Sequence, residues 1–124
     1  MNAVPATLLV VDDDPLNRRL VLRMLADSGL DTEEAASGAA AVAMAMKKRY
    51  DFILLDISMP AIGGVTVARS IRQHYGPDSP RLIACTAHYN FGTNGDEESA
   101  AQFDTIMTKP FVKSELLRVL GLPA

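Results

Sequence analysis

Hydrophobic residues along this chain change their spacing several times, and each change marks a boundary. LLVV at residues 8–11 and FILL at residues 52–55 are continuous apolar runs bounded by polar residues. Such runs are typical of strands buried on both faces. Residues 32–35, 81–85 and 105–107 are also short and mostly apolar or β-branched, so the pattern predicts five strands over 7–11, 32–35, 52–56, 81–85 and 105–107. The segments between them repeat at helical spacing. Leu16, Leu20, Val21, Met24 and Leu25 share one face of the first, with Arg18, Arg19 and Arg23 on the other, and Gly29 stands where the helix should stop. Ser37 is placed to cap an alanine-rich second helix running through Lys48; residues 64–74 predict a third, 96–103 a weak fourth and 112–120 a fifth.

Strand and helix alternating in this way, with no internal repeat, low-complexity tract or interior linker, predict right-handed βαβ units in one α/β domain over residues 1–124. The sheet should be parallel, doubly wound and covered by helices on both faces. In such sheets ligands bind beyond the carboxyl ends of the strands, where strand order reverses; in the five-stranded order 2-1-3-4-5 that crevice lies between strands one and three. Asp12, Asp13 and Asp14 follow strand one and Asp56 ends strand three, so the acids converge on one crevice. Crowded like charges raise one another's pKa unless a cation compensates, and hard oxygen ligands with room for water suit Mg2+. The same cluster argues against a phosphate cofactor such as flavin mononucleotide, which needs a glycine-rich or hydroxyl-rich cradle. Strand four ends in Cys85-Thr86-Ala87 and strand five is followed by Thr108-Lys109-Pro110, adding a hydroxyl and an ammonium to the same rim. An aspartate, a metal, a hydroxyl and a lysine are what uptake of a phosphoryl group on a carboxylate requires.

Composition narrows the partners. At 124 residues and 48% hydrophobic, the chain can bury one core. Twelve Lys and Arg against fifteen Asp and Glu leave a net charge of −3 with no basic stripe, which argues against direct nucleic-acid binding. A single cysteine forms no internal disulfide and suits a reducing compartment. No apolar run approaches a bilayer span, and the opening MNAVPA lacks the basic and long apolar regions of a signal peptide, so a cytoplasmic protein without membrane insertion is expected.

Four motifs now stand in order, each at a strand end: VVDDDPLN at 10–17, LLDISMP at 54–60, ACTAH at 84–88 and MTKPF at 107–111. Together they resemble the receiver domains of two-component response regulators, and the resemblance covers the whole chain. It implies a flavodoxin-like fold and a phosphorylation-dependent signalling switch rather than a turnover enzyme. Asp56 would be the phospho-acceptor, charged by a sensor histidine kinase or a histidine phosphotransfer protein. Asp12, Asp13, Asp56 and the backbone carbonyl of Ser58 would surround Mg2+, with Thr86 and Lys109 as phosphate contacts. The resemblance also implies a cis bond before Pro110 that aims Lys109 inward. Asp14-Pro15-Leu16-Asn17-Arg18 looks most like the receivers of hybrid histidine kinases and their single-domain relatives. No further output segment follows Leu120, so the expected output is a protein partner, a domain outside this chain, or return of the phosphoryl group to a relay histidine.

Several positions depart from that family pattern. Ile106 stands where an aromatic switch residue is usual, Gly63 where an acid is common and Gln102 where a glycine is common. The segment between Thr86 and Lys109 is about one residue longer than usual. The aromatic switch being absent, residues 89–99, with Tyr89, Phe91, Gly92 and Gly95, are expected to carry the conformational response. Two readings from other classes fit less well. A haloacid-dehalogenase-like phosphatase needs a second acid two residues beyond the nucleophile, where this chain has Ser58. A degenerate receiver acting as a phosphorylation-independent binding module would be expected to have lost an acid or Lys109, and none is lost. Asp14 is expected to cap the first helix or be solvated, Cys85 to be a small core residue, and Met44 and Met46 to pack a helix. His74 and His88 stand far from any second ligand at metal spacing.

Overall fold

The computed structural model describes residues 5–88, 90–92 and 96–123; Tyr89 and Gly95 lie outside the described residues. Five strands, β1 (Thr7–Val11), β2 (Asp31–Ala35), β3 (Phe52–Asp56), β4 (Arg81–Thr86) and β5 (Thr105–Thr108), form one parallel sheet in the order β2-β1-β3-β4-β5. The helices are α1 (Pro15–Met24), α2 (Gly38–Lys47), α3 (Gly64–Tyr75), α4 (Glu97–Ala100) and α5 (Lys113–Val119). This is the expected doubly wound fold. Pairing extends β4 and β5 by one residue each, because Thr86 and Thr108 stand opposite one another in register.

The continuous apolar strands supply two cores at once. Successive side chains leave a strand on opposite faces. Leu9, Val11, Ile53, Leu55, Leu82 and Ala84 therefore pack with Ala41, Ala45, Val67, Ala68 and Ile71 of α2 and α3. Leu8, Val10, Leu54, Ile83, Cys85 and Met107 face the other way, toward Val21, Leu25, Leu116 and Leu117. Cys85 is buried in that second core, as expected of a small apolar residue. On the edge strand β2, Glu33 accepts from the Tyr50 hydroxyl at 2.9 Å and pairs with Lys48, whose ammonium lies over the Tyr50 ring.

Side-chain caps set the starts of the first two helices. Asp14 caps α1, its Oδ1 accepting from Leu16 N at 2.9 Å, and Ser37 caps α2 by accepting from Ala40 N at 3.1 Å. Gly63 precedes α3 without a side-chain cap. Two helical expectations need correction. In α1 only the second half docks: Val21 is buried, whereas Leu16 and Leu20 are 59% and 46% exposed, because the first turns overhang a crevice rather than the core. Arg18, assigned by spacing to the solvent side, instead folds back onto the end of β1. The predicted fourth helix contracts to four residues, none of them buried, since EESA has no apolar stripe to dock. It is held from outside: Arg69 of α3 pairs with Glu98, and Arg72 donates two hydrogen bonds to the Gln102 carbonyl at 3.0 and 2.8 Å.

One close approach places α3 against the end of β3. A Cβ on Gly64 would lie 2.4 Å from the Asp56 carbonyl oxygen and 3.1 Å from the Ile57 Cα. Only glycine allows that contact. Gly64→Ala should therefore lower unfolding free energy by about 1–3 kcal/mol through forced backbone displacement, measured by urea denaturation.

Candidate metal and phosphoryl site

Parallel pairing brings the carboxyl ends of β1 and β3 side by side, since Val11 stands opposite Leu55. The residues that follow must share one crevice. Asp12 is 6% exposed and Asp56 8% exposed; Asp13 is open to solvent. One carboxylate oxygen from each of Asp12, Asp13 and Asp56 can be chosen so that all lie within 4.8 Å of one another. Backbone donors fix two of them: Asp12 Oδ1 accepts from Asp14 N at 2.9 Å, and Asp56 Oδ1 accepts from Ser58 N at 3.2 Å.

Lys109 enters from β5. Its Nζ lies 3.3 Å from Asp12 Oδ2 and 3.4 Å from Asp56 Oδ1, and its own N–H donates to the Thr86 carbonyl at 2.7 Å. The bond between Lys109 and Pro110 is cis, as expected. Thr86 is buried at the end of β4, its hydroxyl oxygen accepting from His88 N at 3.0 Å. The structure thus brings Asp12, Asp13, Asp56, Ser58 and Lys109 together, with Thr86 at the adjoining strand end. Asp14, turned to its capping role, stands apart. His88 is exposed, and His74 meets Tyr75 edge-to-face, away from the acids.

The electrostatics match this crowding. Burial pushes the Asp56 carboxyl above the usual aspartate range; Lys109 pulls it down and Asp12 pushes it up again, leaving a net rise. Burial alone would lower the Lys109 ammonium, but Asp56 and Asp12 outweigh it and hold Lys109 above an ordinary lysine. Burial also drives the Cys85 thiol up to about 12, so it stays protonated and inert. One ammonium faces three carboxylates, which leaves a surplus of negative charge. Hard oxygen donors at this spacing, one of them facing water, fit a divalent cation that keeps part of its hydration shell.

Two features of the site escaped the sequence. Arg18 donates from Nη1 to the Asp12 carbonyl at 2.7 Å, so an arginine assigned to solvent supports the acid loop. A cavity of about 170 Å3 lies behind the acids, lined by Leu20, Val21, Met24, Leu54, Cys85 and Phe111 and bounded at its polar end by Asp12, Asp56 and Lys109. The exposure of Leu20 on a predicted apolar face is its only trace in the sequence pattern, and only after folding. Ile106 is 38% exposed and lies against Gly92, at the edge of the described part of the β4–α4 loop.

The family model for the response regulator receiver domain matches residues 8–121. Transcriptional regulatory protein SrrA of Staphylococcus aureus is 35% identical over 116 residues, which are 93% of this chain and 46% of that protein. The chain spans less than half the length of the curated relatives it matches. Among solved structures, the receiver domain of a Pseudomonas aeruginosa sensor histidine kinase, with a magnesium ion coordinated in its active-site cleft, is 33% identical, with 94% of this chain and 95% of that one covered and a TM-score of 0.81. The response regulator TrrA of Thermotoga maritima, in complex with Mg2+ and BeF, is 31% identical, with 94% and 96% covered and a TM-score of 0.83.

A raised Asp56 pKa means that the folded chain binds this proton more readily than the unfolded chain does. The associated stability is fully present below the unfolded value, about 3.9, and is lost as pH rises through the folded value. In metal-free buffer, Asp56→Asn should raise Tm at pH 7, and the gain should shrink toward zero near pH 3. Calorimetric scans across that range check both the sign and the window.

Proposed function

The chain belongs to the response regulator receiver domain family, and on that premise we propose that residues 1–124 form a single receiver domain that accepts a phosphoryl group on Asp56. Asp12, Asp13, Asp56 and the Ser58 carbonyl are the Mg2+ ligands in this reading, and Thr86 and Lys109 meet the phosphoryl oxygens. The observation that carries it is the placement of one ammonium within 3.4 Å of both buried acids, beside a third acid open to solvent. The Mg2+ named for the Pseudomonas aeruginosa receiver supports the choice of metal.

The chemistry follows from the residues. A carboxylate oxygen of Asp56 forms the new bond to phosphorus while the donor's phosphorus–nitrogen bond breaks, its electron pair leaving on the donor imidazole. Lys109 stabilises the charge that gathers on the transferred group, and the Thr86 hydroxyl donates to one of its oxygens. When bound, Mg2+ neutralises charge on the same oxygens. Exposed Asp13 and Ser58 leave the mouth open to a macromolecular donor. The donor is a sensor histidine kinase or a histidine phosphotransfer protein, and the module works as a switch rather than a turnover enzyme. Its output is a downstream protein partner or onward phosphorelay. A cytoplasmic setting agrees with the lone buried thiol, and no helix among the described residues is long and apolar enough to cross a membrane.

Acetyl phosphate with Mg2+ should add one hydroxylamine-labile phosphoryl group, detected by intact mass, and Asp56→Asn should eliminate it. Phosphate recovered on Asp14 or on a serine would overturn the choice of nucleophile. Asp13→Ala should abolish Mg2+ binding while the fold stays intact or becomes firmer, because a repelling charge is gone; an unchanged affinity would refute the ligand set. Lys109→Ala should slow phosphorylation through loss of the compensating charge.

A further inference from the structure

The three acids are not held alike. Asp12 is fixed by the Asp14 N–H and Lys109, and Asp56 by the Ser58 N–H and Lys109. No hydrogen bond or ion pair among the described residues holds the carboxylate of Asp13, which is exposed. Its position depends on the backbone that carries it.

Arg18 acts on that backbone. From α1 its Nη1 donates to the Asp12 carbonyl at 2.7 Å and its Nε donates to Glu34 Oε1 of β2 at 2.9 Å. The side chain is only 15% exposed although its helix position faces outward. The Asp12 carbonyl belongs to the peptide unit that joins Asp12 to Asp13. Turning that plane about the Asp12 Cα–C bond would swing the Asp13 Cα and its carboxylate away from the other two. On the other side of Asp12 itself, its N–H donates to the Ala35 carbonyl at 3.2 Å, so the Asp12 backbone is tied to β2 both directly and through Arg18 and Glu34.

We propose that Arg18, braced by Glu34, is a positioning residue for the cation site: it locks the Asp12–Asp13 peptide and thereby holds Asp13 where it can ligate. This rests on the assignment of Asp12, Asp13 and Asp56 as Mg2+ ligands. A guanidinium suits the task because its planar fork serves two acceptors at fixed angles, which an ammonium does not. Charge and geometry make opposite demands here. A positive group beside the acids weakens Mg2+ binding by repulsion, whereas the clamp strengthens it by pre-organising a ligand. The sign of the change on removing Arg18 therefore separates the two roles.

Mg2+ titrations followed by amide chemical shifts would compare the wild type with Arg18→Met, Arg18→Lys and Glu34→Gln. Arg18→Met should raise the Mg2+ dissociation constant about tenfold, the effect of losing an outer-shell support, despite removal of a repelling charge. Arg18→Lys should recover part of that loss, and Glu34→Gln should show a smaller rise. With acetyl phosphate, the Mg2+ concentration for half-maximal rate should move while the rate at saturating Mg2+ stays near the wild-type value. In metal-free protein the Asp13 amide should shift or broaden in Arg18→Met. Folded Arg18→Met with unchanged or tighter Mg2+ binding would overturn the proposal. Should that variant fail to fold, wild-type affinity in both Arg18→Lys and Glu34→Gln would overturn it equally. A wild type that binds no Mg2+, or an Asp13→Ala variant that binds it normally, would instead locate the failure in the ligand assignment, and the role of Arg18 would fall with it.

Discussion

Mutual repulsion among Asp12, Asp13 and Asp56 is the constraint around which the site is built. Their oxygens come within 4.8 Å of one another at the end of a sheet whose walls are apolar, where like charges interact more strongly than in water. Unpaired, they would splay apart or take up protons. Lys109 opposes this from β5, Arg18 supports the backbone from α1, and two backbone N–H groups brace individual carboxylates. What remains is an excess of negative charge on a rigid frame. That excess disfavours the empty site and favours a cation, so the cost of assembling the acids becomes a driving force for loading it.

Holding the acids in place requires a stiff base, and the two-faced sheet supplies it. Central β1 and β3 are buried on both sides, so neither can tilt without disturbing two cores. Gly64 seats α3 directly on the backbone of Asp56, extending that stiffness to the β3 terminus. Rigidity falls away on the β4–β5 side. There α4 buries nothing of its own and depends on Arg69 and Arg72 reaching across from α3. An element held by exposed ion pairs and a shared carbonyl rearranges at lower cost than one held by a core. The chemistry thus stands on the firm part of the fold, and α4 is its least anchored described helix.

Much of this was legible along the chain. LLVV and FILL marked the central strands because burial on both faces removes the polar alternation of a one-sided strand. Asp14 and Ser37 announced helix starts through the local competition of short polar side chains for free backbone N–H groups. The candidate site was legible because chain order and parallel pairing oblige strand ends to meet. Where the reading failed, tertiary geometry had overridden period. Leu16 and Leu20 lie on the apolar face of α1, yet both stay largely exposed, Leu20 at the cavity behind the acids rather than in a core. Arg18 has the spacing of a solvent residue, but its long side chain spans the turn to an acceptor six positions back.

The sequence by itself determined which groups could meet: strand periodicity set the order of elements, and residue type at each strand end set the chemistry of the rim. Both are local or topological properties, readable without distances. Tertiary structure alone decided how those groups stand toward one another. Whether Lys109 reaches both Asp12 and Asp56, which acid is pinned and which is left to its backbone, and which half of α1 finds a core depend on distances of a few ångströms between segments far apart in the chain. Such distances are settled by close packing, in which every side chain's position is conditioned by all its neighbours at once, and no single stretch of sequence contains that information.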